Sequence, residues 1–583
     1  MSWPFANVNE LWSRTIAEVL VRRGVRYAVI CPGSRSSPLA FAFARTEGIE
    51  AISALDERSA SFFALGLAKR TGFPTALVCT SGTAAANFFP AVVEASESGV
   101  PLMALTADRP PELRNCRAGQ TINQRRLYGD FPIFQGELGI PDASKGALRE
   151  LAGFVSKAAA IAGEPRGGPV HLNIPFRDPL PPLEDSNYDC PISEADWRAS
   201  VSGADRDSEL SAPDVFDIES FADTEKGLLI VGAPLSPIGE DWVANVSALA
   251  NELNWPVLAD ALNPIRNNER AFPHLITGYD AICRSESLHE TLKPRKAVIL
   301  GDLPISKALR NWLEKSKPQL RFLNSIGGDF DPTHGDSETV YHDFNDRSLS
   351  VTRREESVFL EDWRNADRLA RQSLSNRLVA SDAFFEGGVS RTLSERIPEG
   401  SAVFVSNSMP PRDMEFFWDR NDRRIDVYCS RGANGIDGIL STALGVAHGG
   451  ATSYLLTGDL ALLHDTNGAL LLNAFKGSLT IVLINNSGGG IFEMLPVSQF
   501  GDTFEKYFGT DQKIDFSYWA KTYGIEYFKP DNWLELEALI ESSQSEGARL
   551  IEVVADRKAD AALRKRWFAE ISSDLQESWT RRR

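Results

Sequence analysis

The chain is 583 residues long and carries 61 lysines and arginines against 79 aspartates and glutamates, a formal charge of −18. That length favours three or four domains, and the acidic balance argues against nucleic acid or an anionic membrane as partner, since both select basic surfaces. No apolar run is long enough to cross a bilayer and the opening residues lack a signal-peptide pattern, so a cytoplasmic protein is expected.

The six cysteines are scattered with no CxxC, and the seven histidines show no metal-ligand spacing. Buried thiols, and no zinc site, are expected. Residues 9–23 carry Leu11, Ile16, Val19 and Leu20 on one helical face and stop at Gly24. A strand over 27–30 runs into Cys31-Pro32-Gly33-Ser34-Arg35-Ser36-Ser37-Pro38. Ser37 is placed to cap the next helix, and Ser34 and Arg35 to lie at a sheet's carboxyl edge, where arginine holds a carboxylate through two bonds.

A second strand, 50–55, delivers Asp56-Glu57-Arg58 and a helix over 59–69. One acidic residue suits a helix N-terminus, and the dipole hardly requires two. A strand at 75–80, a helix at 84–96 and a strand at 101–106 continue the alternation of a parallel, doubly wound sheet. Residues 112–134, with Arg114, Arg117, Gln120, Arg125 and Arg126, read as a mobile charged loop. A helix at 147–162 and a strand at 170–174 close a first domain, 1–180, and the proline-rich, acidic stretch 177–212 reads as a linker.

Strands at 228–231, 257–259 and 297–300 mark a central Rossmann-like domain, 213–350. It lacks GxGxxG, so no dinucleotide is assigned to it. A charged connecting helix over 352–378 leads to a third domain, 380–583. There a strand at 402–405 ends in Ser406-Asn407-Ser408-Met409-Pro410-Pro411-Arg412, and one at 426–428 ends in the glycine-rich run Arg431 to Gly438. The most pointed stretch is 454–494, with strands at 454–456 and 479–484 and a helix at 469–475 between them. These strands end in Gly458-Asp459 and Asn485-Asn486-Ser487-Gly488. Open parallel sheets bind ligands outside such ends, and a carboxylate with an amide carbonyl suits Mg²⁺ beside phosphate oxygens. Ordinary turn chemistry would use the same residues.

Together PGSRSSPLA (32–40), DERSA (56–60), TSGTAAANFFPAVVEA (80–95), ADRPPELR (107–114), SRGANGIDG (430–438), GDLALLHD (458–465) and NNSGGGIF (485–492) carry a resemblance. The whole chain resembles the thiamine-diphosphate enzymes of the acetohydroxyacid synthase and pyruvate oxidase group and, within them, the carboligases of menaquinone and phylloquinone biosynthesis. The resemblance implies an α/β fold of three doubly wound parallel-sheet domains: pyrimidine-binding, central and diphosphate-binding. It implies thiamine diphosphate with Mg²⁺ or Mn²⁺, and a transferase in which 2-oxoglutarate loses CO₂ to give a succinyl-semialdehyde carbanion that adds 1,4 to isochorismate.

By the same resemblance Glu57 is the catalytic partner of the aminopyrimidine N1′. Ser408, Ile436, Gly458, Asp459, Leu460, Asn486 and Gly488 join it in holding the cofactor, Ile436 as the wedge that bends it. Asp459, Asn486 and the Gly488 carbonyl are the implied metal ligands. Ser34, Arg35, Arg109, Gln120, Lys307, Arg412, Arg431, Ile491 and Phe492 fall on substrate-contacting positions. A homodimer or homotetramer with sites shared between subunits is implied. His464 reads as a buried or capping histidine. The alternatives are another thiamine-diphosphate carboligase or decarboxylase, a binding protein that has lost the chemistry, and a regulatory ligand in the central domain.

Overall fold

The computed structural model describes residues 5–582 apart from 165–166, 184–187, 189, 204–215, 236–237, 327, 347, 382 and 543–545. Its framework is three six-stranded sheets, parallel at every pairing. The first holds β1 (Tyr27–Ile30), β2 (Glu50–Ser53), β3 (Thr75–Cys79), β4 (Leu102–Asp108), β5 (Phe134–Glu137) and β6 (Val170–Pro175), in the order 2-1-3-4-6-5. The second holds β7 (Gly227–Val231), β8 (Val257–Ala259), β9 (Leu275–Ile276), β10 (Lys296–Leu300), β11 (Gln319–Asn324) and β12 (Asp336–Tyr341), in the order 12-11-10-7-8-9. The third holds β13 (Ala402–Val405), β14 (Asp426–Cys429), β15 (Ser453–Gly458), β16 (Ser478–Asn485), β17 (Glu526–Phe528) and β18 (Gly547–Val554), in the order 14-13-15-16-18-17.

The first and third sheets therefore share one strand order. In each, successive connections turn in opposite directions from the first strand, which opens a crevice between its carboxyl end and that of the third. In the first sheet that crevice is flanked by Ser34-Arg35 and Ser81-Gly82. In the third it is flanked by Ser406–Ser408 and Gly458-Asp459. The interior strands are buried on both faces, β3 and β4 throughout, which is why they read as unbroken apolar runs rather than alternating ones.

The described chain divides into two compact units. One consists of Met1–Ala212 with Arg431–His448 and Asp465–Lys476, and contains the first sheet. Its helix Glu57–Thr71 crosses the helix Ile439–Ala447 at Gly66 and Gly445. A Cβ on Gly66 would stand 2.1 Å from the Thr442 carbonyl oxygen, and one on Gly445 2.1 Å from that of Phe63, so only glycine permits this approach. The other unit, Pro213–Ser430, Gly449–His464 and Gly477–Arg583, contains the second and third sheets. There the buried pair Arg266–Glu415, 2.7 Å, joins the segment after β8 to the helix Pro410–Phe417.

Local expectations fail where side chains find other partners. Ser37 is the first residue of the helix Ser37–Ala44 rather than its cap, and Ser36, at the cap position, makes no side-chain capping bond, its hydroxyl donating to the Gly33 carbonyl. The helix expected over 84–96 is two, Thr83–Asn87 and Phe89–Glu97, broken where Pro90 removes an N–H donor. Instead of an α-helix over 469–475 there is a 3₁₀-helix, Thr466–Asn473. The linker contains a helix, Glu194–Ser202, whose Trp197 packs edge-on against Phe5 and donates to Thr15 Oγ1 at 2.9 Å. Residues 184–187, 189 and 204–212 of that linker lie outside the described residues. Cys116 is exposed and Cys190 half-buried, against the expectation of buried thiols, and the other four are buried.

Candidate active site

In the first unit, the turns after β1, β3 and β4 bring polar groups to one carboxyl edge. Arg35 is buried. It donates to the Phe176 carbonyl at 2.8 Å and lies 3.7 Å from Asp178. Its Nε is buried with no hydrogen-bond partner among the described residues. Burial, and then the neighbouring Arg109 charge, lower its pKa, the behaviour of cations held together. Arg109 Nη1 donates to Ser81 Oγ. Ser81 Oγ in turn donates to the Gln120 carbonyl at 2.9 Å, and Gln120 Nε2 returns a bond to the Ser81 carbonyl at 2.9 Å. Gln120 adopts a left-handed φ of 57° to do so. Ser34 is exposed on the same turn as Arg35.

The charged loop expected after Arg109 is tied down. Arg114 reaches Asp108 at 2.8 Å and Glu137 at 2.8 Å, and Arg125 also pairs with Glu137. Burial would raise the Glu137 carboxyl, yet Arg125, Arg114 and Asn173 hold it at about 2. Gln124, not singled out by the sequence, is buried and accepts from Gly82 N at 2.9 Å while donating to the Ala107 carbonyl.

Glu57 opens the helix Glu57–Thr71, and Asp56 is the cap, accepting from Ser59 N at 3.1 Å. Asp56 thereby accounts for one of the two acids and leaves Glu57 without a capping role. The second oxygen of Asp56 accepts from Asn467 Nδ2 at 2.7 Å. Two residues earlier, Asp465 is fully buried, accepts from Ser441 N at 2.7 Å and lies 4.0 Å from Arg58. Burial raises its pKa to about 6. The segment 465–467 thus ties the helix that begins at Glu57 to the one that follows Ile436. Glu94, also buried, accepts from Gly432 N at 3.1 Å and Ala433 N at 2.7 Å, which anchors the loop carrying Arg431 and Ile436.

In the second unit, Asp459 follows β15 directly, and Asn486 and Gly488 follow β16. Asp459 Oδ2 accepts from Gly488 N at 2.8 Å, and its Oδ1 from Leu460 N at 2.8 Å. Burial raises the Asp459 pKa to about 6 against the pull of those two amides. Asn486 Nδ2 donates to Glu386 Oε1 at 2.5 Å, while its Oδ1 is buried with no donor among the described residues. A buried carbonyl oxygen without a donor beside a buried carboxylate is the donor set a hard divalent cation takes. Gly488 has φ 132°, and a Cβ there would stand 1.9 Å from the Gly509 carbonyl oxygen. The residues therefore fit a metal–diphosphate group.

Ser408 takes a left-handed φ of 75° and its carbonyl accepts from Arg412, which is exposed. Ile491 and Phe492 are half-buried in the turn Gly490–Met494, Phe492 packing edge-on against Phe508. Lys307 is the exposed first residue of the helix Lys307–Ser316. His464 is exposed at the end of the helix Asp459–His464 rather than buried, because the chain turns there toward Asp465, which takes the interior position. Sequence reasoning missed Glu386, Asp413, Arg564, Glu94 and Asp465, whose partners lie far along the chain and leave no local spacing to read.

Two parallel sheets of one strand order, with an acid at a helix start in one unit and an Asp–Asn–Gly oxygen cluster in the other, define the class. It is that of the thiamine pyrophosphate enzymes, whose N-terminal TPP binding domain model matches residues 12–127 and whose C-terminal TPP binding domain model matches residues 416–553. The cofactor is thiamine diphosphate with a divalent metal ion. A 2-succinyl-5-enolpyruvyl-6-hydroxy-3-cyclohexene-1-carboxylate synthase of Rippkaea orientalis is 44% identical over 580 residues, 98% of each chain. Proteins of the same name from a Nostoc species and from Synechococcus elongatus are each 43% identical, over 98% of this chain and 99% and 98% of theirs. The chain belongs to this synthase family. Among the described residues no helix is long and apolar enough to cross a membrane.

Proposed function

We propose that the protein removes CO₂ from 2-oxoglutarate and adds the remaining four-carbon unit, through its former carbonyl carbon, to isochorismate by 1,4-addition, in the cytoplasm. The name shared by the relatives supports that product. Both substrates are dicarboxylates, so the site needs cations in an acidic protein. The observation that carries the reading is Arg35 and Arg109 gathered on one sheet edge, with a buried Arg35 Nε that lacks an acceptor among the described residues. A pyruvate carboligase has no use for such a set.

When bound, thiamine diphosphate would supply a carbon nucleophile that also holds the electron pair left behind as CO₂ departs. Glu57 holds a proton at the aminopyrimidine nitrogen, Asp459, Asn486 and the Gly488 carbonyl hold Mg²⁺ or Mn²⁺, and Gly458, Leu460 and Ser408 line the diphosphate. Ile436 would be the apolar wedge against the bound cofactor. Ser34, Gln120, Arg412, Arg431 and, from the central domain, Lys307 join the two arginines in orienting carboxylates, with Ile491 and Phe492 as the apolar wall. We assign three domains, 1–180, 213–350 and 380–583, and an oligomer of at least two chains in which Glu57 of one serves a metal site of another.

The test is CO₂ release from 2-oxoglutarate, with and without isochorismate, in thiamine diphosphate and Mg²⁺. Product formed only with both substrates is expected, and equal turnover of pyruvate would sink the reading. Shared sites are tested by mixing Glu57→Gln with Asp459→Ala chains. Exchange of subunits should restore part of the activity, and none returning after demonstrated exchange would mean that each chain completes its own site.

A further inference from the structure

We propose that Glu386 is a positioning residue that orients the Asn486 carboxamide so that its oxygen, rather than its nitrogen, faces the cation. The inference rests on the metal role assigned to Asn486 above. A carboxamide offers an oxygen and an NH₂ group of nearly equal size, and only the oxygen binds Mg²⁺. Something must choose between the two orientations. Glu386 Oε2 accepts from Arg564, which leaves Oε1, 2.5 Å from Asn486 Nδ2, as the acceptor that takes the amino end and turns the oxygen away. That oxygen is the buried Asn486 Oδ1, which has no donor among the described residues.

Glu386 is itself fixed. It is 1% exposed at the start of the helix Glu386–Arg396, and its backbone N–H donates to Asp560 Oδ2 at 3.0 Å. Its other oxygen accepts from Arg564 Nη2. Arg564 is buried and grips Asp413 with Nε at 2.7 Å and Nη2 at 2.8 Å. Arg564 has only donors to offer, so whatever stands at 386 must present an oxygen to it. In Glu386→Gln the amide oxygen is claimed by Arg564, the amino group faces Asn486, and Asn486 must turn its own oxygen inward, which leaves nitrogen toward the metal. Outer-shell partners of this kind typically carry about tenfold to hundredfold in metal affinity.

The same logic gives a variant that a merely structural salt bridge would not rescue. In Glu386→Gln with Asn486→Asp, the amino group of the carboxamide at 386 donates to one oxygen of the new carboxylate and the other oxygen faces the cation. The pair has exchanged its hydrogen-bond polarity and kept its ligand. The experiment is calorimetric titration of Mg²⁺ into the full-length protein preloaded with thiamine diphosphate, with the unfolding temperature of the metal-free protein alongside.

Glu386→Gln is expected to weaken Mg²⁺ at least tenfold. The double variant should return to within about threefold of the native affinity or bind more tightly. Native affinity in Glu386→Gln overturns the proposal. So does a folded double variant no better than Glu386→Gln. If Glu386→Gln fails to fold, the double variant, with its full set of bonds, decides alone. Asn486→Ala separates the two levels of the argument. Unchanged Mg²⁺ binding there removes Asn486 as a ligand and the proposal with it, whereas binding lost there but intact in Glu386→Gln removes only the positioning role.

Discussion

Replacing Glu94 by glutamine keeps its shape and removes its charge. The carboxylate is 3% exposed, accepts from Gly432 N at 3.1 Å and Ala433 N at 2.7 Å, and lies 3.9 Å from Lys69 Nζ. A carboxamide offers one neutral oxygen in place of two charged ones and keeps the present geometry with only one of the two N–H groups, so the equivalent of about one charge-assisted bond is lost, worth about 1.5–3 kcal/mol. The Lys69 ammonium loses its counter-ion as well, which brings the total to about 2–4 kcal/mol. Local opening of the loop then becomes about 30-fold or more easier, since each 1.4 kcal/mol is about a factor of ten. Amide hydrogen exchange over 431–438 reads this directly, and kcat/KM should fall about tenfold or more because Arg431 and Ile436 ride on the loop. Unchanged exchange over 431–438 in Glu94→Gln would refute the reasoning.

Glu57→Gln should leave the fold and cofactor affinity intact and lower kcat by about 10²–10⁴, the usual range for a proton-transfer group; near-native turnover would remove Glu57 from the chemistry. Asp465 has a folded pKa of about 6 against 3.8 unfolded, so its contribution to stability is full below about pH 4 and is lost as pH rises through 6, on the order of 3 kcal/mol. Asp465→Asn should therefore match or exceed the native unfolding temperature at pH 8 and lose that advantage at pH 4, and a pH-independent difference between the two proteins would contradict this. Arg109→Lys keeps the charge and loses the planar fork. It should raise KM for 2-oxoglutarate about tenfold with a smaller change in kcat, as initial-rate kinetics would show, and equal KM values would take Arg109 out of substrate recognition.

How much could be read in advance follows the range of each interaction. That Asp459, Asn486 and Gly488 share one edge was legible because parallel strands place their ends together, and short polar runs at 458–459 and 485–488 announce it. The shared edge of Arg35 and Arg109 was legible for the same reason. The resemblance chose Glu57 over Asp56; local pattern alone could not, since either acid can cap a helix, and the hydrogen bond from Ser59 N gives the cap to Asp56. Glu386 and Arg564 were invisible: a glutamate and an arginine 178 positions apart read as surface charges until the fold buries them together. Trp197 shows the opposite error, a proline-rich and acidic neighbourhood concealing an aromatic residue that reaches the core of the first unit.

The crossing of the helix Glu57–Thr71 with Ile439–Ala447 has a consequence in time. Residues Ser59–Ala68 are all buried in the complete chain, with Phe62 closing on Gly438 and Phe63 edge-on to His448. On a ribosome adding about 5–20 residues per second, the covering helix emerges roughly 20–75 s after the one it covers. Throughout that interval the nascent first domain displays an apolar helix face with nothing of its own to place on it. A chain terminated anywhere before about residue 450 keeps that face bare for good. Such fragments are expected to occupy chaperones and to aggregate, and the first sheet, though complete by Pro175, is not an independent product of translation.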